Sequence, residues 1–324
     1  MKTISQSRRT LKLCLAVAVL IGPLALRAQQ SATRIVVGFP PGGNLDYVAR
    51  TIAPALGREL GQNFIVENKA GANGVIAGEF VSRAAPDMKT LWLTSVGAVA
   101  ITPALTFKMT YDAERDLMPI AQVVRNVEVL LVNINSPYNT AAELVAAARR
   151  GTKLSFASSS TGGVPHLAIE LLNDTAKIDI QHVPYKGGGP ALNDLLAGHV
   201  DGLFSDISPV IGHITGGKVK VIGITSPDRH PLLPQIKTFD EMGLPGVDAD
   251  NWQGLFAPKG ANPVEVAKIG AALRRVLNSP AIKSTLESSG AEIVGSSSAE
   301  LTTVLKKDIV KWGNLIKTKS IKGE

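Results

Sequence analysis

The sequence is nearly devoid of cysteine, with Cys14 the only one in 324 residues. It falls within the first 28 residues, which read as a removable leader, so the rest of the chain has no thiol. Disulfides, zinc-thiolate sites and a cysteine nucleophile are thereby excluded. Leu11-Lys12-Leu13 ahead of Cys14 lacks the small residues that a lipid-attachment site needs. Five histidines, His166, His182, His199, His213 and His230, are scattered without paired ligand spacing, so no metal centre is expected. No loop ends in Gly-Lys-Ser/Thr and no dinucleotide fingerprint occurs, so no nucleotide cofactor is expected. A charge excess is also missing. Of 34 basic residues, Lys2, Arg8, Arg9, Lys12 and Arg27 lie in the first 28, which leaves 29 against 27 acidic ones. The basic isoelectric point thus gives no argument for a nucleic-acid or membrane partner. Aromatic residues make up only 5%.

The one long apolar run, Leu13 to Leu26, follows the basic residues and ends at Arg27-Ala28-Gln29. It is too short and too terminal for a spanning helix and reads as a secretory signal over 1–28, cleaved after Ala28. Ser7-Arg8-Arg9-Thr10-Leu11-Lys12 looks like a twin-arginine motif with Leu in place of Phe, and the general secretory route stays open beside it. The 296 residues that follow suffice for two cores.

The stretch Ile35 to Arg50, IVVGFPPGGNLDYVAR, organises the rest. A short apolar strand passes through Phe39-Pro40-Pro41-Gly42-Gly43 into a helix with apolar residues at Leu45, Val48, Ala49, Ile52, Ala53, Leu56 and Leu60, a 3.6-residue period. Asn44 is the expected N-cap, and glycines at the entrance let a ligand approach free N–H groups and the positive end of the helix dipole. Such a turn holds an anion without a cationic side chain. Asp46 would repel that anion if it faced it, so it is expected to point away and brace the loop. Pro54 is expected to kink or restart the helix near Arg50.

The chain then repeats strand, loop and helix, which argues for a parallel sheet wrapped by helices. Strands are expected at Phe64–Glu67, Leu91–Thr94 (leading to Ser95), Val127–Asn133, Leu154–Ala157, Ile180–Pro184, Val200–Phe204 and Val219–Thr225. Helices are expected at Val75–Ala84, Thr140–Arg150, Pro165–Leu172, Pro190–Gly198, Val264–Leu277 and Ala299–Ile316. A second loop of the opening kind is Ser158-Ser159-Ser160-Thr161-Gly162-Gly163, followed by His166 in the next helix. A third is Tyr185-Lys186-Gly187, and Phe204 runs into Ser205-Asp206. These loops would lie at the C-terminal edge of a sheet, where open α/β sheets bind ligands. The piece from Pro227 to Trp252 reads as a surface connection.

GFPPGG with Asp46, Val66-Glu67-Asn68-Lys69-Ala70-Gly71-Ala72 with Gly74, Ala85-Pro86-Asp87, Pro103-Ala104-Leu105, His182-Val183-Pro184-Tyr185-Lys186-Gly187 with Pro190-Ala191-Leu192, and Trp252 to Pro258 resemble the Bug-type (TctC-like) solute-binding proteins of tripartite tricarboxylate transporters. The resemblance covers essentially all of the chain after the signal. It implies a periplasmic, two-lobed, type II (Venus flytrap) binding protein of α/β class, each lobe a mostly parallel sheet flanked by helices. The lobes would be 29–128 with 226–324, and 129–225, joined by hinge strands at Val129–Val132 and Val219–Thr225. A small organic carboxylate would sit between two clamps, Phe39 to Gly43 and Ser158 to His166, with Ser95, Tyr185, Lys186, Gly187 and Asp206 around it. The implied partners are the membrane permease subunits of the transporter or, in a signalling role, a sensor kinase; a monomer is expected. Ser205-Asp206 stands where many members have Asp-Asn, and Ser160 and Gly163 stand where Gly and Thr are common. The scarcity of aromatics leans toward an aliphatic acid.

An enzyme is the rival class. Ser158, His166 and Asp206 make a triad on paper, but no Gly-x-Ser-x-Gly elbow surrounds any serine, and His166 sits at a helix start where a capping or core role is commoner. The expectation is a binding protein without catalysis.

Overall fold

The computed structural model describes residues 32–105 and 109–323. The secretory signal lies outside the described residues. Two mixed sheets carry the fold. Strands β1 (Thr33–Val37), β2 (Phe64–Asn68), β3 (Thr90–Ser95), β4 (Leu117–Asn126), β10 (Asn251–Pro258) and β11 (Glu292–Ile293) form one in the order β11-β4-β10-β3-β1-β2. Strands β5 (Glu128–Asn133), β6 (Ser155–Ser158), β7 (Gln181–Pro184), β8 (Gly202–Asp206) and β9 (Val219–Ile224) form the other, in the order β7-β6-β8-β5-β9. In each, three strands fed by crossover helices run parallel: β1 pairs with β2 and β3, and β6 with β7 and β8. The strands nearest the passage between sheets, β10, β4, β5 and β9, pair antiparallel. A strand reached by crossing from the other half needs no βαβ return, so its direction is free.

Helix α1 (Asn44–Leu60) lies against the first sheet and buries Leu45, Val48, Ala49, Ile52 and Leu56, the positions that the 3.6-residue period picks out. It runs unbroken through Pro54, contrary to the expected restart; Pro54 is exposed, so its ring projects into solvent. Helices α2 (Val75–Ser82), α3 (Ala141–Arg149), α4 (Val164–Ala176), α5 (Gly188–Ala197), α6 (Pro263–Leu277) and α7 (Pro280–Ser288) cover the remaining faces. The terminal helix α8 (Ser298–Lys319) starts with a capping box between Ser297 and Glu300 and packs on both β4 and α4, so it spans the two halves. Beneath it runs one continuous core in which Trp92, Trp252, Trp312, Phe156 and Phe204 are all buried. Trp252 donates its indole N–H to Asp308 at 2.6 Å, and Trp92 meets Tyr111 edge-on at 5.6 Å.

The expected hinge strands β5 and β9 are neighbours in the second sheet, and the crossing lies at their ends. The chain leaves β4 at Asn126 and enters β5 at Glu128 through the buried Val127. Thr225 lies alongside: its N–H donates to the Glu128 carbonyl at 3.0 Å, and its hydroxyl accepts from the Glu128 N–H at 3.1 Å. The stretch from Pro227 to Trp252 is not the surface connection read from its prolines and glycines. Leu233, Phe239, Leu244, Val247 and Ala249 are buried, and the Phe239 ring lies tilted against Phe204 with centroids 5.9 Å apart. Gly223 on β9 makes room for it, since a Cβ there would stand 3.0 Å from the Phe239 ring. Apolar residues without a regular period fill this core from irregular backbone, a pattern that periodicity does not detect.

Among the described residues no helix is long and apolar enough to cross a membrane.

Candidate functional site

The loops expected to bind ligand follow the C-terminal ends of the parallel strands. In the first half these are Phe39–Gly43 after β1, Lys69–Gly74 after β2, and Ser95 with a π-helical turn at Gly97–Ile101 after β3. In the second half they are Ser159–Gly163 after β6, Tyr185–Gly187 after β7, and Ser208 beyond Asp206 at the end of β8.

The two main loops have the same backbone. Gly42 and Gly162 take positive φ of 87° and 73°, conformations that glycine adopts without steric cost. Gly43 and Gly163 are the N-caps, at φ −78° and ψ 170° and at φ −78° and ψ 168°. Gly43, rather than Asn44, is thus the cap of α1, and neither cap uses a side chain. The first-turn amides at both entrances are left without a capping oxygen, which is the arrangement an anion completes.

Behind each loop stands a brace in the first helical turn. Asp46, 3% exposed, accepts from the Gly42 N–H at 2.9 Å, from Arg50 Nε at 2.8 Å and from Asn68 Nδ2 at 2.9 Å. Asn68 Nδ2 also donates to the Phe39 carbonyl at 3.0 Å. Hydrogen bonding from Arg50, above all, holds the Asp46 carboxyl down to about 2. Asp46 therefore faces the loop's own backbone, as its repulsion for an anion requires. Asn68 and Arg50 are not among the site residues that the sequence points to. The Asp46–Arg50 spacing of four was a usable signal, whereas Asn68 reaches the loop only through strand pairing.

In the second loop His166, 6% exposed, takes the place of Asp46. The Gly162 N–H donates to its Nδ1 at 2.9 Å. The ring of His182, on β7, stacks on it at 3.6 Å with an interplanar angle of 12°. His182 Nε2 lies 2.7 Å from Ser158 Oγ, and Ser158 donates its single proton to the Ser160 carbonyl at 2.8 Å. Ser158 can therefore only accept from His182, which fixes the proton on that Nε2. Burial foremost, and then the neighbouring His166, push the His182 pKa down to about 4.

These contacts sort the expected site residues. Pro40, Pro41, Gly42, Gly43 and Ser160 are exposed, and Phe39, Ser159, Thr161 and Gly163 are half-buried. Ser158 is fully buried and its hydroxyl is used inside the loop. It meets His182 instead of His166, and Asp206 does not complete a triad with it. Gly162 is buried against Leu105, the last residue of the short helical turn Thr102–Leu105. Ser95 is 8% exposed beside Gly97. Tyr185 donates its hydroxyl to Asp194 at 2.6 Å, Lys186 is exposed, and the Gly187 N–H donates to the Ser159 carbonyl at 2.9 Å, which ties the third loop to the second.

Asp206 joins the two halves. A cavity of about 710 Å³ has Gly42, Gly43 and Asn44 on one side and Asp206, Ser208 and Ser288 on others, with no Lys or Arg among its described lining residues. Behind Asp206, Asn251 Nδ2 donates to its oxygens at 3.3 and 3.4 Å, and Glu128 is its register partner across β5 and β8. Glu128 is fully buried, and neither of its carboxyl oxygens has a protein hydrogen-bond partner. Burial, reinforced by each other's proximity at Glu128, raises both carboxyls above their ordinary range. Nearby Asp250 is pushed up to about 7, first by burial and then by Asp248. Among the described residues no cluster of three or more acidic, histidine or cysteine side chains is arranged to hold a metal ion.

Comparison with known proteins agrees with this architecture. A family model described as "Tripartite tricarboxylate transporter family receptor" matches residues 48–321. Protein BugT of Bordetella pertussis is 32% identical over 286 residues, 88% of this chain and 88% of BugT. MatC from Rhodopseudomonas palustris, solved with bound malate, superposes with a TM-score of 0.73 at 32% identity, covering 88% of this chain and 98% of that one. A second R. palustris protein, solved with adipate, gives a TM-score of 0.78 at 28% identity, covering 91% and 100%.

Proposed function

Because the chain belongs to the tripartite tricarboxylate transporter receptor family, we propose that it captures a small organic carboxylate between its two halves and delivers it to the membrane permease subunits of such a transporter. It acts in the periplasm once the 1–28 leader has been removed. The lobes are 29–128 with 226–324, and 129–225, with the segment around Phe239 leaning on the second lobe. The assigned contacts are Phe39 to Gly43 and Ser159 to Gly163, with Ser95, Tyr185 to Gly187 and Asp206 around them; Ser158 and His166 support the second loop from behind.

The observation that carries this reading is the duplicated helix entrance. Two glycine-rich loops of one geometry, each with uncapped first-turn amides, stand at the sheet edges. One carboxylate bridging both would favour the closed form by its differential affinity. The cavity at the first entrance, lined by Gly42, Gly43, Asn44 and Ser208 with no Lys or Arg among its described lining residues, supports capture there through backbone amides and hydroxyls; no residue of the second entrance lines it. The Ser158–His182 pair gives no support to a hydrolytic reading, since the Ser158 hydroxyl donates to the Ser160 carbonyl.

The test is thermal unfolding of the leaderless protein with malate, adipate and a panel of mono-, di- and tricarboxylates, using their esters as controls. An acid at one hundred times its dissociation constant should add about 2.7 kcal/mol, a shift of a few degrees in a chain of this size. A shift that disappears on esterification supports the reading. No shift with any acid, after unfolding and refolding to remove carried-over ligand, counts against it.

A further inference from the structure

The two entrances share a backbone but are braced by opposite chemistry. In each, the N–H of the positive-φ glycine donates to a side chain four residues on, at 2.9 Å in both: Gly42 to Asp46 Oδ2 and Gly162 to His166 Nδ1. The carboxylate accepts whenever it is ionised. The imidazole accepts only through a nitrogen that carries no proton.

We propose that His166 is the positioning residue of the second entrance, and that it holds the Ser158–Gly163 loop in its ligand-ready shape only while Nδ1 is unprotonated, so that this loop is acid-labile where the first is not. As a statement about binding, it rests on the reading of that loop as a carboxylate clamp. Since Nδ1 accepts from Gly162, the neutral ring bears its proton on Nε2, which lies 3.8 Å from the Glu170 carboxylate. A second proton can enter only at Nδ1. There it would face the Gly162 N–H, donor against donor, at a buried glycine.

The titratable groups set against His166 are His182, stacked from β7, and Glu170 on its own helix; Leu105, from the facing helical turn, is apolar. The stack with His182 restrains the ring from turning away to recover the bond, because such a turn would break the ring contact. The loop, rather than the ring, then gives way. His182 is a support in this arrangement: its Nε2 proton remains on Ser158 whichever form His166 takes.

The experiment follows the Gly162 amide by NMR in ¹⁵N-labelled leaderless protein from pH 7 to pH 5, with the Gly42 amide as internal reference. Wild type should show a Gly162 resonance that titrates and a protection ratio, Gly162 over Gly42, that falls about tenfold per pH unit once the ring is mostly protonated. H166N, whose amide oxygen accepts at any pH, should retain the protection and lose the titration; H166A should lose protection throughout. A Gly162 signal flat with pH in wild type, or titrating equally in H166N, overturns the proposal, and wild type alone decides if the variants fail to fold. Affinity for malate and adipate, expressed as wild type relative to H166N so that ligand protonation cancels, should drop on the same pH scale. A measured affinity ratio that stays flat overturns the link to binding. Binding of neither acid by either protein overturns the clamp reading, while the amide signal still decides for or against the brace.

Discussion

Asp46 offers the most direct check of a brace. Its folded pKa, about 2, lies below that of an unfolded aspartate, so its contribution to stability is fully present above about pH 4 and is lost as pH falls toward 2. D46N should therefore be destabilised relative to wild type in urea at pH 7, and the difference should shrink steadily between pH 4 and pH 2.5. A difference independent of pH would mean that the carboxylate's charge is not what Arg50 and the Gly42 amide recognise. The glycines allow a paired test. Nothing lies within 4 Å of a Cβ built on Gly42, whereas one on Gly162 would overlap the Leu105 side chain. G42A should cost about 1 kcal/mol for its positive φ alone, and G162A should cost more, by an amount that L105A partly restores. Equal costs in chemical denaturation would show that Leu105 yields freely.

Among the elements, α1 carries a proline that its backbone does not need. Pro54 leaves the Arg50 carbonyl without its helical donor, and the position is exposed. P54A should raise stability by about 1–3 kcal/mol, seen as a higher urea midpoint at unchanged slope. Opposite behaviour is expected at Gly78 in α2, where a Cβ would overlap Tyr111 and stand 2.7 Å from Trp92. G78A should be destabilised by about 1–3 kcal/mol as an overpacked core. The elements that were legible in the sequence are those whose signal is local: the period along α1, the apolar run of β1, the double glycines at both helix entrances. The sequence places the cap of α1 one residue late, at Asn44, because Asn is a good cap by type but makes no capping bond here; Gly43 is the cap. The π-turn at Gly97–Ile101 was hidden in an apolar stretch with no breaker. His182 as partner of Ser158, 24 residues away, depends on the parallel pairing of β6 and β7, and no local pattern encodes such a pairing.

At the scale of the whole molecule, the passage between halves holds acids whose carboxyls burial raises above their ordinary range. Raised carboxyl values at Glu128 and Asp206, and about 7 at Asp250, mean stability that is full below the unfolded carboxyl range near pH 4 and is lost as pH rises through the folded values. Thermal midpoints should therefore fall between about pH 5 and pH 8, and D250N should flatten that slope; a midpoint that climbs over this interval in wild type would contradict the raised carboxyls. The three tryptophans of the chain are unevenly distributed. Trp92 and Trp252 lie in the first sheet, Trp312 lies in the helix that covers it, and the second sheet has none. Intrinsic fluorescence is thus weighted toward the first sheet, with the tryptophans sharing one core with Phe156 and Phe204 of the second, and a separate fluorophore is needed to watch the second sheet's own strands.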